Sequence, residues 1–362
     1  MFSEYWRRPA GHTPKVVRGL SLQLSRCFHW VIASWRREYQ TRHVSSNVAA
    51  RERFLRRFLG LILDFWSYSW YVVQWLPTCM QYEDGMHRVG LVIKRGEAQA
   101  FALGQKIVEF LNQSGRTVLL EKIFADGSQN WSVQFSDRIA DDADLLVVLG
   151  GDGTMLRAAA LLNDKPTPVL GINLGRVGFM ADIPPHEALR ELQATLDGSA
   201  LFVERMLLEV SVPHCKTAKV LNDVVIHWGG IARLIDIGVR IGAAKEIELR
   251  ADGLIVSTPT GSSAYSFAAN GPLMHPDIQG VILTPICPYA GLKRPLIVPP
   301  DFTIDLVLIK GERFNLTLDG HTTIDLGQGA SIRIRKAPVP FVMVQRRGHN
   351  YIDLLREKLK LE

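Results

Sequence analysis

The sequence predicts an α/β domain followed by an all-β domain, behind an N-terminal extension of different composition. Three observations carry this reading. From Val89 onward, short apolar runs alternate with amphipathic stretches, the texture of strands and helices in turn. One continuous apolar run, Asp144 to Leu149, leads straight into Gly150-Gly151-Asp152-Gly153-Thr154 and a helical stretch. After about Leu201, strand follows strand with little helix. The expected boundaries are residues 1–87, 88–200 and 201–362.

In the α/β part, Val89 to Lys94 reads as a strand. Ala98 to Asn112 reads as a helix with Phe101, Ile107, Val108 and Leu111 inward, and Thr117 to Leu120 as a second strand. Met155 to Leu162 is the helix after the glycine loop, and Val169 to Ile172 another buried strand. The β part offers candidate strands at Leu207 to Val212, Val224 to His227, Ile235 to Ile241, Glu246 to Arg250, Leu254 to Ser257 and Val281 to Thr284. Further candidates are Ile304 to Leu308, Phe314 to Leu318, Ser331 to Ile334 and Phe341 to Val344. Tyr351 to Leu361 reads as a closing helix.

The net charge of +6 resides entirely in residues 1–87, which leaves residues 88–362 neutral and argues against nucleic acid as a partner. The extension also holds six of the eight tryptophans, and all but one of its basic residues are arginine. Phe58 to Leu76 is nearly all apolar or aromatic but is broken by Asp64, which is costly in hydrocarbon. The expectation is upstream sequence ahead of a start at Met80 or Met86, with an interfacial membrane anchor and a membrane span as alternatives. Membrane contact is thus expected only if the extension belongs to the working protein. Cys27, Cys79, Cys215 and Cys287 are scattered and form no metal or redox motif, which suits a reducing cytoplasm.

The glycine loop carries the chemistry. Three glycines let the backbone approach a bulky anion, and the following helix adds free N–H groups and its positive dipole end. An aspartate there would repel a phosphate unless a metal or a substrate hydroxyl stands between them, so Asp152 points to proton abstraction or metal work. A tight turn with Asp152 capping a helix is the plainer alternative. Neither G-x-x-x-x-G-K-[ST] nor a strand-linked G-x-G-x-x-G occurs, and no lysine sits in the loop. Backbone amides and a metal are then expected to hold the phosphates. Similar loops occur in diacylglycerol and sphingosine kinases and, as a close variant, in phosphofructokinases.

The C-terminal half narrows the choice. Asp252-Gly253-Leu254-Ile255-Val256-Ser257-Thr258-Pro259-Thr260-Gly261-Ser262-Ser263-Ala264-Tyr265 is a hydroxyl-rich turn able to offer hydroxyls, backbone groups and one aromatic face to a nucleotide. With Asn173-Leu174-Gly175-Arg176-Val177-Gly178-Phe179, Leu221-Asn222-Asp223-Val224, Leu283 to Pro288 and Arg294-Pro295-Leu296, it closely resembles the NAD kinases from about Val89 to the C-terminus. The resemblance implies a Rossmann-like, phosphofructokinase-like N-terminal domain, an all-β C-terminal domain, and an active site between them. It also implies phosphorylation of the 2'-hydroxyl of the adenosine ribose of NAD, giving NADP, in a homodimer or homotetramer. NAD and ATP would be the substrates, with polyphosphate an alternative donor and Mg²⁺ or Mn²⁺ as the divalent metal.

Carried over residue by residue, the resemblance makes Asp152 the catalytic base, with Gly151, Gly153 and Thr154 at the phosphates. It implies that Asn222 and Asp223 hold the ribose, that Phe179 packs near the adenine, and that Arg250, Asp252, Ser263, Ala264, Tyr265 and Ala268 contact the dinucleotide. Arg233 is a further ligand contact, and His321 is expected beside the dinucleotide, in the NAD pocket; no metal-ligating residue is assigned. Departures from the common pattern include Asp223 for glutamate, Ser263 for threonine, Ala268 and Asn270 in the usual S-A-G-G-P, Tyr289-Ala290-Gly291 for H-S-L, and His321 for glutamine. Two rival classes stay open: a lipid kinase sharing the loop, and a non-catalytic NAD-binding regulator.

Overall fold

The chain folds, in a computed structural model, into three sheets described over residues 85–360, apart from 129, 176–177, 231–233, 312 and 349. The expected anchor or span at Phe58 to Leu76 and the candidate start Met80 lie outside the described residues, as does Arg233. Among the described residues no helix is long and apolar enough to cross a membrane. Met86 is buried against the first core.

The first sheet runs in the order Gln134–Ser136, Thr117–Glu121, Arg88–Ile93, Leu145–Gly150, Val169–Asn173, Phe341–Gln345, Leu201–Arg205. All its pairings are parallel except the last. Leu145–Gly150 is buried at every position, as a central strand covered on both faces must be. The helices Ala98–Gln113 and Ala188–Leu196 cover one face, the helices Ile139–Asp142 and Asp152–Leu161 the other. The chain builds outward from Arg88–Ile93 in one direction and then reverses to Leu145–Gly150. Such a reversal opens a crevice at the carboxyl ends of the two strands, where α/β proteins bind ligands.

The other two sheets pack face to face. One runs Ile247–Ala251, Ile235–Ile241, Ile304–Lys310, Ser331–Lys336, Leu208–Ser211, Ala218–Val220. The second runs Leu296–Val298, Val281–Ile286, Gly253–Ser257, Asp223–Trp228, Phe314–Leu318, Thr322–Leu326. Both are antiparallel throughout. Alternate positions of Ile304–Lys310 and Phe314–Leu318 are buried, the mark of strands with one face on a core, and their side chains meet those of Leu208, Val224, Ile226, Leu254 and Val256. Two strands of the C-terminal half differ from expectation: Leu201–Arg205 and Phe341–Gln345 join the first sheet. Their pairing is long-range, so nothing local in the sequence announces it. The closing helix forms at Tyr351–Leu359, capped by Asn350 Oδ1, which accepts from the Ile352 and Asp353 amides.

Candidate active site

Arg88–Ile93 ends in Lys94-Arg95, and Leu145–Gly150 ends in the glycine loop, so the strand reversal places these two segments side by side. The Lys94 amide donates to the Leu149 carbonyl at 2.8 Å. Gly151 precedes the helix Asp152–Leu161 and its carbonyl accepts from Thr154 and Met155 at 2.9 and 3.1 Å. A side chain added at Gly151 would meet nothing within 4 Å, and one at Gly153 only His321. The loop therefore presents bare backbone to a cavity of about 510 Å³ lined by Lys94, Arg95, Gly151, Gly153, Thr154, Arg157 and His321. Arg157 is anchored from below, donating to both Glu121 carboxylate oxygens at 2.8 and 2.9 Å and to the Ile93 carbonyl at 2.8 Å.

Asp152 is held by backbone. Its Oδ1 accepts from the Met180 and Ala181 amides at 3.0 and 3.1 Å, and its Oδ2 from the Phe179 amide at 2.8 Å. A carboxylate offers about four acceptor sites, two per oxygen, so three amides leave one, on Oδ2. The approach is close enough that a Cβ at Gly178 would overlap the carboxylate. The loop after Val169–Asn173 is itself braced by Asn173, whose Nδ2 donates to the Ala181 carbonyl at 2.9 Å and whose Oδ1 accepts from the Gly175 amide at 2.7 Å.

On the β side, Phe314–Leu318 and Thr322–Leu326 form a hairpin whose loop is Asp319-Gly320-His321. Asp319 and Gly320 adopt positive φ, 49° and 67°, where Asp and Gly are the favoured residues. The Asp319 carboxylate accepts from the Leu221 amide at 2.9 Å, the Asn222 amide at 2.7 Å and the Asp223 amide at 3.1 Å. This pins the hairpin loop to the segment carrying Asn222 and Asp223. Burial raises Asp319 above the ordinary carboxylate range against the pull of those three amides. Asp223 is pushed up to about 7, first by burial and then by the Asp319 charge, with the Tyr265 backbone hydrogen bond opposing. Asp223, Asp252, Tyr265 and Gly320, with His227, Trp228 and Thr317, line a second cavity of about 540 Å³.

The hydroxyls of Ser257 to Ser263 mostly bond inward. Thr258 Oγ1 donates to the Leu221 carbonyl at 2.5 Å and accepts from the Gly261 amide at 3.0 Å; Ser262 Oγ donates to the Met274 carbonyl at 3.1 Å and accepts its amide at 3.0 Å. Ser263 Oγ is half-buried, 3.4 Å from the Thr260 carbonyl. The turn is thus a brace against Leu221-Asn222 that holds Tyr265, 48% exposed, at the second cavity.

The structure groups the sequence-predicted residues into two sets. Asp152, Gly151, Gly153, Thr154 and His321 gather at the first cavity or its loop; Asp223, Asp252 and Tyr265 gather at the second, with Asn222 and Ala264 as their chain neighbours. Phe179 packs on Tyr351 with ring centroids 6.2 Å apart. Arg250 lies 3.5 Å from Asp236 and over the Tyr289 ring at 5.8 Å, and Ala268 is exposed; neither lines either of these two cavities. Sequence reasoning missed Lys94, Arg95 and Arg157. It expected no side-chain cation at the phosphates because none lies within the loop. The signal available was a Lys-Arg pair at the end of the first strand of an α/β pattern.

Comparison with known proteins bears on both the sequence and the fold. Residues 89–213 match the family described as ATP-NAD kinase N-terminal domain, and residues 221–346 the ATP-NAD kinase C-terminal domain. The NAD kinase of Geotalea daltonii is 38% identical over 281 residues, covering 76% of this chain and 99% of its own. A solved NAD kinase from Archaeoglobus fulgidus, in complex with ATP, superposes with a TM-score of 0.60 at 27% identity, covering 75% of this chain and 98% of its own. A yeast NADH kinase complexed with NADH shares the fold, with a TM-score of 0.71 at 24% identity over 77% of this chain and 89% of its own. With both domains matched and nearly the full length of a relative covered, the chain belongs to the NAD kinase family of phosphotransferases.

Proposed function

We propose that this chain transfers the terminal phosphoryl group of ATP to the 2'-hydroxyl of the adenosine ribose of NAD, with the donor phosphates at the glycine loop and the dinucleotide in the second cavity. The observation that carries this is the shared wall. One hairpin loop, Asp319-Gly320-His321, borders both cavities, contributing Gly320 to one and His321 to the other. A hydroxyl bound beside Asp223 and a phosphate bound at Gly151 to Thr154 then meet near Asp152.

In the reaction, the 2'-oxygen forms a bond to the terminal phosphorus as the bond from that phosphorus to the bridging β–γ oxygen breaks, and ADP leaves. Asp152 Oδ2 takes the hydroxyl proton at its one remaining acceptor position, while the three amides keep the carboxylate aimed. Lys94, Arg95 and the loop amides carry the phosphate charge. Asp223 accepts a ribose hydroxyl, a role that fits a carboxylate losing its proton near neutrality. Tyr265 covers a ring or the ribose of NAD.

Among the described residues no three His, Cys, Asp or Glu side chains gather as a metal cage. Mg²⁺ or Mn²⁺ fits here as the counter-ion that arrives on the nucleotide phosphates, where it neutralises their charge. We further infer a cytoplasmic homo-oligomer, on the family resemblance and the cysteine pattern. Incubation of the pure protein with ATP, Mg²⁺ and either NAD, NADH or diacylglycerol, and with inorganic polyphosphate in place of ATP, tests acceptor and donor together. NADP formation supports the reading; phosphorylation of the lipid alone would replace it.

A further inference from the structure

The last two residues of the Asp319-Gly320-His321 loop face different cavities, and the imidazole is on the basic side. His321 Nδ1 lies 2.5 Å from the Asp319 carbonyl oxygen. A carbonyl only accepts, so Nδ1 carries a proton and Nε2 is the end of the ring left for other contacts. That end faces the glycine loop: a methyl group added at Gly153 would lie 3.8 Å from Nε2. The charged groups that line the cavity with the ring are Lys94 and Arg95 from the end of the first strand and Arg157 from the glycine-loop helix; Asp152 begins that helix, and Asp319 of the ring's own turn interacts with it electrostatically. Glu121 offsets Arg157, Glu97 lies 3.2 Å from Lys94 Nζ, and the Asp152 carboxylate is turned onto three amides. Arg95 has no side-chain partner among the described residues. The cavity that His321 faces is thus lined by three basic side chains and by bare glycine-loop backbone, with no acidic side chain among its lining residues, an environment for an anion.

We propose that His321 donates a hydrogen bond from Nε2 to a phosphate oxygen of the bound donor, the anion itself drawing the second proton onto the ring, which makes His321 a donor-side contact and no part of the dinucleotide pocket. The inference rests on the phosphotransferase reading above and assigns a further residue to that site. An imidazolium bonded at Nδ1 to a carbonyl and at Nε2 to a phosphate has both N–H groups satisfied, and it adds a positive charge where charge develops during transfer. Glutamine, common at this position in the family, reaches about as far as Nε2 with a neutral amide.

Two substitutions separate this role from a structural one. Asn reproduces the reach of Nδ1 and Gln that of Nε2. His321→Asn should keep the contact with Asp319 yet raise the KM for ATP roughly tenfold, while His321→Gln stays within about threefold of wild type. The KM for NAD should be unchanged in both. Calorimetric titration with inorganic tripolyphosphate, which needs no turnover, should show the same ranking. The reverse ranking would mean that the ring acts through Asp319, and a change confined to the KM for NAD would put it on the dinucleotide side; either overturns the proposal, as does no effect of His321→Asn on donor KM or tripolyphosphate binding. A wild-type protein that makes no NADP overturns the phosphotransferase reading instead, while weaker tripolyphosphate binding by His321→Asn alone would still support the phosphate contact.

Discussion

Gly178 lies so close to the Asp152 carboxylate that any side chain there would overlap it. The glycine is required by packing, since the amides that aim Asp152 belong to the residues immediately after it. Gly178→Ala should therefore displace the carboxylate from Phe179, Met180 and Ala181. The expected result is a fall in kcat of about tenfold or more with KM values little changed, and a stability loss of roughly 1–3 kcal/mol. Steady-state kinetics with a thermal melt checks both; normal kcat would show that the position of Asp152 does not limit the reaction.

Asp223 gives the fold a pH signature. Its folded pKa, about 7, lies above the ordinary value of 3.8, so the folded state holds the proton more tightly than the unfolded chain. The stability this confers is present below about pH 4 and is lost as pH rises toward 7. Asp223→Asn cannot ionise, so its melting temperature relative to wild type should rise from about pH 4 to pH 7 and level off above, the stability difference between the two proteins changing by a few kcal/mol at most. Parallel melting curves for the two proteins would show that Asp223 does not titrate in this window. Activity of the variant should fall, because a carboxylate acceptor for the ribose is lost.

Tyr265 lines the second cavity, at the end of a turn whose own hydroxyls mostly bond inward. Removing the ring should cost binding more than folding. Tyr265→Ala is expected to weaken NAD binding by roughly 1–3 kcal/mol while the melting temperature moves little. Calorimetry beside a melt separates the outcomes, and a large stability loss with NAD affinity intact would make Tyr265 a core residue.

What was legible in the sequence was what is local. The run Leu145–Gly150, the glycine loop and the helix after it follow from apolar continuity and three glycines within a few residues. The alternation in Ile304–Lys310 and Phe314–Leu318 is equally local. Lys94 and Arg95 were not legible as site residues, because their place beside the loop depends on strand order, a long-range property. The same holds for Phe341–Gln345, which reads as one more β strand but pairs with Val169–Asn173. Ala218–Val220 and Leu296–Val298, with three residues each, are too short to show a period. The Ser257 to Ser263 hydroxyls illustrate the converse. Sequence identified a polar turn, while only the structure showed Thr258 and Ser262 bonded to neighbouring backbone.

In the proposed reaction Asp152 Oδ2 accepts the proton of an NAD hydroxyl during phosphoryl transfer, and Asp152→Asn removes that acceptor. The asparagine keeps the size of the side chain but sets an N–H₂ group against backbone N–H donors, so a stability loss of about 1–3 kcal/mol is expected and must be measured alongside. With ATP, Mg²⁺ and NAD at saturation, wild type should form NADP, and the folded variant should do so at least about 10²-fold more slowly while still binding NAD. A folded Asp152→Asn protein that makes NADP at the wild-type rate would show that Asp152 is not the base.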